Sequence, residues 1–414
     1  MKRDSKFYSW VVVGLLAIVA LLNYLDRQML STMQTAMQAD ITELQSAEQF
    51  GFLMAIFMYI YGFMSPVAGS IADRVNRKWL IVGSLFVWSS VTFGMGLAKT
   101  FDQLVWLRGF MGVSEALYLP AGLAMIADYH TGKTRSLAIG IHMTGLYLGQ
   151  ALGGFGAKIA QDFSWHTTFH WFGIIGIMYA VILFLFLHDK RPEKNISSNS
   201  KLKPGVNKIP LMKGLGMLFT NIAFWIILLY FAAPSLPGWA TKNWLPTLFS
   251  ENLKLPMAQA GPISTFTLSI ASFVGAVFIG GPISDRWVRK NVKGRVYTSA
   301  IGLSLTIPSL ILMGFASGYV GVIGSAVLFG VGFGMFDANN MPILCQFVPP
   351  NLRATAYGIM NMVGVFAGAA ITQVLGKFTD NGSLGFGFAI LGAIVLFALL
   401  VQLFGLKPKV QDMQ

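Results

Sequence analysis

Gly69-Ser70-Ile71-Ala72-Asp73-Arg74-Val75-Asn76-Arg77-Lys78 returns later in the chain as Gly281-Pro282-Ile283-Ser284-Asp285-Arg286-Trp287-Val288-Arg289-Lys290. Each copy closes an apolar run and opens a basic loop. Two more matches follow in the same order. Gly112-Val113-Ser114-Glu115-Ala116-Leu117-Tyr118-Leu119-Pro120 is answered by Gly334-Met335-Phe336-Asp337-Ala338-Asn339-Asn340-Met341-Pro342. Arg135-Ser136-Leu137-Ala138-Ile139-Gly140 is answered by Arg353-Ala354-Thr355-Ala356-Tyr357-Gly358. Three matches in order, at nearly one offset, mark an internal duplication.

Composition says what solvent the two copies face. Of 414 residues, 55% are hydrophobic and 11% charged, against about 25% charged in a soluble domain. Apolar runs of about 20 residues recur along the chain, each long enough to cross about 30 Å of hydrocarbon. They predict an all-α membrane protein of 12 transmembrane helices, over 9–35, 48–72, 79–98, 102–128, 134–161 and 167–188, then 215–248, 260–284, 295–315, 319–347, 354–378 and 384–405. Pro234, Pro237 and Gly238 predict a kink or split in the seventh. Two six-helix halves of like orientation imply a pseudo-two-fold axis normal to the membrane.

The net charge of +13 does not point to nucleic acid, because the basic residues sit in short loops and do not gather on a face or groove. Of 30 Lys and Arg, 23 fall in the N-terminal segment, the even-numbered connections, the middle segment and the C-terminal tail. The connection from Met37 to Glu48 carries Asp40, Glu43 and Glu48 and no basic residue. The positive-inside rule then makes both termini and the middle segment cytoplasmic. The polar, basic stretch around Asn195-Ile196-Ser197 reads as a flexible linker, and its glycosylation motif is a chance match on that side. The expected domains are an N-terminal six-helix half at 1–188, a cytoplasmic linker at 189–213 and a C-terminal six-helix half at 214–414. The first apolar run is too long for a signal-peptide core and leads into Asn23-Tyr24-Leu25-Asp26-Arg27, so it reads as a retained helix. Cys345, the single cysteine, cannot form an intrachain disulfide.

Ionisable groups at bilayer depth cost about 2.5–3.5 kcal/mol on insertion scales and mark function by default. Asp26, Arg27, Arg108, Glu115 and Asp337 stand out. Arg108 lies two turns from Glu115 on the same helical face. A guanidinium stays charged and grips a carboxylate with two parallel hydrogen bonds, which suits Arg27 to an anionic substrate. A carboxyl in a low-dielectric site can load and release a proton near neutral pH, which suits Asp26 and Glu115 to proton coupling. The alternative is purely structural, with Asp26 paired to Arg27 and Glu115 to Arg108. Adjacent helical residues point about 100° apart, which weakens that alternative for Asp26 and Arg27. Asp337 is either a second site for a proton or hydroxyls, or a neutral acid bonded to Asn339 or Asn340.

The G-x-x-x-D-R-x-x-R-K loops, the six-plus-six arrangement and the basic linker resemble the major facilitator superfamily over essentially the whole chain. The resemblance implies alternating access and a cytoplasmic latch made of Asp73, Arg77, Asp128, Asp285 and Arg289. In it Asp73 faces the N-terminus of helix eleven, whose dipole favours an anion, and Arg77 pairs with Asp128. Asn76 stands where the loop usually has glycine, and Pro350 where the second copy would match Asp128.

Within that superfamily, Asn23 to Arg27, Arg108 with Glu115, Trp244-Leu245-Pro246-Thr247 and Gly358-Ile359-Met360-Asn361-Met362-Val363-Gly364 are similar to the anion:cation symporters. What that similarity implies is proton-coupled import of an organic anion, a monocarboxylate sugar acid such as a uronate, aldonate or sialic acid. It implies protonation of the residues matching Asp26 and Glu115 and a substrate carboxylate on Arg27. Tyr24, Tyr59 and Asn361 match lining positions, with Gln150 a looser match, Asp337 a further candidate and Arg108 supporting. Asp73 to Lys78 and Gly112 to Ala116 also resemble spinster-like lipid and lysolipid transporters, which keeps a lipid exporter as the alternative.

The expectation is therefore a monomeric transporter of the plasma (bacterial inner) membrane, neither an enzyme nor a nucleic-acid binder, using no cofactor or metal. Its partners are a small organic anion, protons and the lipid bilayer. Ala127 to Thr134 nearly matches a phosphate loop but lacks its first glycine and follows a membrane helix. Gly330, Gly332 and Gly334, like Gly145, Gly149 and Gly153, read as close-packing positions.

Overall fold

The computed structural model describes residues 6–130, 134–190, 211–349 and 352–408. Most of the expected linker, the Asn195 motif, Pro350, residues 131–133 of the loop-like stretch and the side chain of Asp73 lie outside the described residues. Among those described, the secondary structure is entirely helical. The chain runs through α1 (Lys6–Leu30), α2 (Gln34–Met37), α3 (Ala47–Arg74), α4 (Arg77–Met95), α5 (Phe101–Tyr129), α6 (Arg135–Gly153), α7 (Gly156–Asp162) and α8 (Trp165–Phe186). It continues through α9 (Leu211–Phe219), α10 (Ile222–Leu253), α11 (Met257–Phe273), a π-helical segment (Val274–Gly280) and α12 (Gly281–Val288). Then come α13 (Gly294–Phe315), α14 (Gly318–Asp337), α15 (Asn340–Phe347), α16 (Arg353–Asp380) and α17 (Leu384–Gly405).

Two compact units result. The first holds Met1–Lys201 with Pro256–Thr265, the second Leu202–Leu255 with Phe266–Gln414. In the first, α1 packs on α6, α3 on α5, and α4 on both α5 and α8. In the second, α10 packs on α16, the π-helical segment on α14, and α13 on both α14 and α17. Counting only long helices, each unit pairs its first with its fifth, its second with its fourth, and its third with its fourth and sixth. Small residues make these approaches possible. A Cβ at Gly145 would fall on the Ala17 carbonyl and one at Gly149 on the Leu21 carbonyl, so α1 and α6 meet backbone to backbone. Within the first unit, Thr265 Oγ1 donates to the Ala151 carbonyl at 2.9 Å.

Eleven described helices are long and apolar enough to cross a membrane, and the chain is an integral membrane protein. The run expected at 134–161 is not one of them. His142, Gln150 and glycines at 140, 145, 149 and 153 dilute its apolar character, and it breaks between α6 and α7. The first helix, expected to reach residue 35, ends at Leu30. There Ser31 and Thr32 turn their hydroxyls back onto the carbonyls of Gln28 and Met29, competing with the helical ladder. The seventh does not split at Pro234 and Pro237; α10 runs through both and through Pro246. Its break falls earlier, where Asn221 accepts from the Ala223 amide at 3.0 Å and caps a new helix after α9.

Asn76 acts likewise between α3 and α4. Its side chain accepts from the amides of Lys78 at 3.0 Å and Trp79 at 3.4 Å, starting α4 directly. In place of a turn glycine the chain has a helix cap.

Candidate functional site

The site is built in the first unit, where α1, α3, α4 and α5 present polar groups to one another. Gly112 on α5 sits where a Cβ would strike the Phe57 carbonyl of α3, and this close approach brings α5 side chains against α3 and α1. Three residues on, Glu115 reaches Arg27: the guanidinium Nε donates to Oε2 at 2.6 Å. The Glu115 side chain is 0% exposed while that of Arg27 is 11% exposed, so the cation can be approached and its counter-ion cannot. The other carboxylate oxygen, Glu115 Oε1, is buried without a hydrogen bond of normal geometry, and so is Asn23 Nδ2. Asn23 is nonetheless close enough to act on the Glu115 carboxylate.

Asp26 takes a separate partner. It is buried and accepts from Thr92 Oγ1 on α4 at 3.3 Å. The two neighbours on α1 therefore face different helices, as a step of about 100° requires, and the Asp26–Arg27 pairing of the structural alternative does not form. Arg108 does not take Glu115 as its hydrogen-bonding partner either. Its Nε donates to the Leu53 carbonyl at 3.4 Å and its Nη1 contacts Met111 Sδ at 3.3 Å. Its guanidinium lies 4.6 Å from the Phe57 ring centroid.

Aromatic rings enclose Arg27. Its guanidinium carbon lies 5.1 Å from the ring centroid of Tyr24, 4.8 Å from Phe57 and 4.6 Å from Tyr61. Cation–π attraction of this kind strengthens as water is excluded. Tyr24 was expected from the sequence; Phe57 and Tyr61 were not. The expected Tyr59 is half-buried on α3, about 200° round the helix from each of those rings. Gln150 is buried on α6 and Asn361 half-buried on α16. His142, also on α6, is buried with no hydrogen bond of normal geometry at either ring nitrogen.

In the second unit Asp337 ends α14 with its side chain exposed, although it lies well inside the span Gly318–Phe347. It accepts from Asn340 Nδ2 at 3.1 Å, and Lys242 of α10 is the charged group that acts on it most strongly. Lys242 was not expected from the sequence, although it too is an ionisable group inside an apolar run.

At the loops, Arg77 bonds to Asp128 through Nη1 and to the Ala124 carbonyl at 3.0 Å, while its own amide donates to Asp189 at 2.8 Å. The second copy is wired differently. Asp285 bonds to Arg295 at 2.9 Å, and Arg289 is exposed at the end of α12.

A many-helix membrane protein with a buried ion pair whose cation is approachable is the class that this fold and site define. Residues 16–373 match the Major Facilitator Superfamily, and the chain belongs to it. It is 27% identical to the hexuronate transporter of Bacillus subtilis (strain 168), covering 96% of this chain and 94% of that protein. It is 24% identical to protein spinster homolog 1 of Bos taurus, covering 91% of this chain and 74% of that protein. Among solved structures, a bacterial homologue of the human lysosomal transporter Spinster superposes with a TM-score of 0.77 at 20% identity, covering 97% of this chain and 96% of that one.

Proposed function

We propose that this protein is a twelve-helix, proton-coupled symporter that imports a monocarboxylate sugar acid by alternating access. In this reading α6 and α7 supply the twelfth crossing, and the halves are repeats of like orientation with both termini cytoplasmic in a plasma membrane. The observation that carries the proposal is the Arg27–Glu115 ion pair, sealed on the carboxylate side and approachable on the guanidinium side.

The chemistry is an exchange of partners. Arg27 keeps its charge and presents a planar fork to a carboxylate. A substrate carboxylate takes the place of Glu115 on that fork. Glu115, displaced, would be an uncompensated charge in a low-dielectric site, which is strongly unfavourable. Taking a proton removes that charge, and Oε1, which accepts no hydrogen bond of normal geometry, is where a hydroxyl can form. The cluster of Asp26, Arg27, Arg108 and Glu115 holds two acids and two bases, so a proton taken up offsets the negative charge brought in. Asp26, held by Thr92 alone among the hydrogen-bond donors described, is the second proton carrier. Arg108, fixed on Leu53 and Phe57, supports the local potential without turning to substrate. Arg77 with Asp128 serves as the loop latch that must release and re-form during the cycle.

The similarity to the B. subtilis hexuronate transporter supports a sugar acid. The similarity to spinster homolog 1 supports the other reading, a lipid or lysolipid exporter, and Asp26, Arg27 and Glu115 would serve either. Counterflow and pH-gradient-driven uptake of D-glucuronate in proteoliposomes separate them. The expected result is uptake raised by an inward proton gradient and abolished in Arg27→Ala. Uptake indifferent to the gradient, or intact in Arg27→Ala, overturns the proposal.

A further inference from the structure

α4 begins at Arg77 and ends against Gly96, and at that far end His166 of α8 faces two acceptors. Its Nδ1 lies 2.8 Å from the Gly96 carbonyl oxygen, and its Nε2 lies 3.5 Å from Asp40 Oδ2, in the connection between α2 and α3. All three residues belong to the first unit. Trp165, buried next to His166, donates from Nε1 to the same Asp40 oxygen at 2.6 Å. Its ring stacks on that of His166, with 3.7 Å between centroids. Only glycine permits this approach of α4 to α8: a Cβ at Gly96 would fall 2.7 Å from the His166 carbonyl oxygen and 2.5 Å from the His170 ring.

A carbonyl oxygen only accepts, so Nδ1 of His166 carries a hydrogen. A neutral imidazole has one such hydrogen, and its other nitrogen then turns a lone pair toward the Asp40 carboxylate. The imidazolium has two and satisfies both acceptors at once. Histidine is the side chain whose charge ordinarily changes between about pH 5 and 8, so this double contact belongs to the acid side.

Asp40 is the one ion-pairing partner of His166 among the described residues. Glu43, in the same connection, bonds to Thr42 at 3.3 Å. On α7, Asp162 is held by Lys158 at 2.7 Å. On α1, Asp26 is held by Thr92 and Arg27 by Glu115. Lys99 and Asp102, between α4 and the first turn of α5, are exposed. On α8 itself His170 packs on Phe93, with 4.7 Å between ring centroids.

We propose that Asp40 and His166 form a proton-operated clasp of the first unit, closed when His166 is charged and open when it is neutral. Closed, it ties the connection that leads from α1 to α3 onto the end of α4, one turn past Thr92, the residue that holds Asp26. His166 is a positioning residue: it steadies the helices that carry Asp26 and Thr92 and touches no substrate. Under the orientation proposed above, this end faces outward, so the clasp answers acid outside the membrane, separately from the protons carried by Asp26 and Glu115.

Purified full-length protein without substrate provides the test, so failure of the clasp leaves the sugar-acid reading standing. An imidazolium in contact with an indole quenches its emission, and Trp165 is the reporter. Wild-type fluorescence should rise between about pH 6 and 8, and the rise should be missing in His166→Gln. Thermal unfolding gives a second readout, because stability gained by the charged clasp is present in acid and lost as pH rises. His166→Gln and Asp40→Asn should each lower the unfolding midpoint by about 1–2 °C more at about pH 6 than at about pH 8. The double variant should lose no more of that acid-side gain than either single variant, as expected of partners in one contact, and His170→Gln should keep it. A fluorescence rise that persists in His166→Gln, additive losses in the double variant, or transfer of the response to His170 overturns the clasp.

Discussion

Arg27 on α1 donates from Nε to Glu115 on α5 at 2.6 Å, and turns away from Asp26, its neighbour in the chain. A chain that keeps two carboxyls around one guanidinium, and closes the ion pair with the more distant of them in sequence, has separated a charge that is exchanged from one that is held. Asp26 stays on Thr92; Glu115 is the partner that a substrate carboxylate can replace.

Arg27→Lys tests whether the guanidinium fork matters beyond its charge. The variant keeps the ion pair with Glu115 but loses planar, two-fold recognition. Carboxylate affinity should fall by about tenfold or more, with the protein still folded, as read by calorimetric binding and thermal unfolding of the same sample. Affinity equal to wild type would remove the fork from the mechanism.

Glu115→Gln should leave Arg27 without its counter-ion. At pH 8 the anion then meets no competitor, so binding should tighten by roughly tenfold. Uptake driven by a proton gradient should be lost while counterflow survives, because the amide takes up no proton. Retained gradient-driven accumulation would make Asp26 the sole proton carrier.

Gly149→Ala should destabilise the first unit. Its Cβ would fall on the Leu21 carbonyl of α1, and overpacking of this kind costs about 1–3 kcal/mol. The thermal unfolding midpoint should drop, whereas Gly140→Ala, which meets nothing within 4 Å, should leave it unchanged.

Arg77→Ala removes the bonds to Asp128 and the Ala124 carbonyl. If that contact must break and re-form in the cycle, transport rate should fall by roughly tenfold while substrate affinity holds, as expected of a conformational step. A parallel loss of affinity would place Arg77 in the scaffold of the site instead.

Much of the architecture was legible because the bilayer imposes it. Apolar runs set the spans, the repeated Gly-to-Lys loops set the duplication, and charge inside hydrocarbon singled out Asp26, Arg27, Arg108, Glu115 and Asp337. Residues whose relevance depends on a neighbouring helix were not legible. Thr92, Phe57 and Tyr61 are ordinary residues for a membrane helix, and nothing in their own stretches points at α1. Lys242 was legible in principle, but in a proline-containing run its place opposite Asp337 has no local signature.

The sequence by itself determined that this is a bundle of membrane helices with an internally repeated sequence and with ionisable groups inside its apolar runs, since hydropathy and repeat spacing are properties of the chain alone. Only the tertiary structure decided that Arg27 pairs with Glu115 and that Asp26 pairs with Thr92. The reason is rotational: a helix directs each residue about 100° from the last, and which neighbour it meets depends on how the helices are turned against one another. In the first unit that turning is set by contacts such as Gly149 on Leu21 and Gly112 on Phe57, made between residues far apart in the chain.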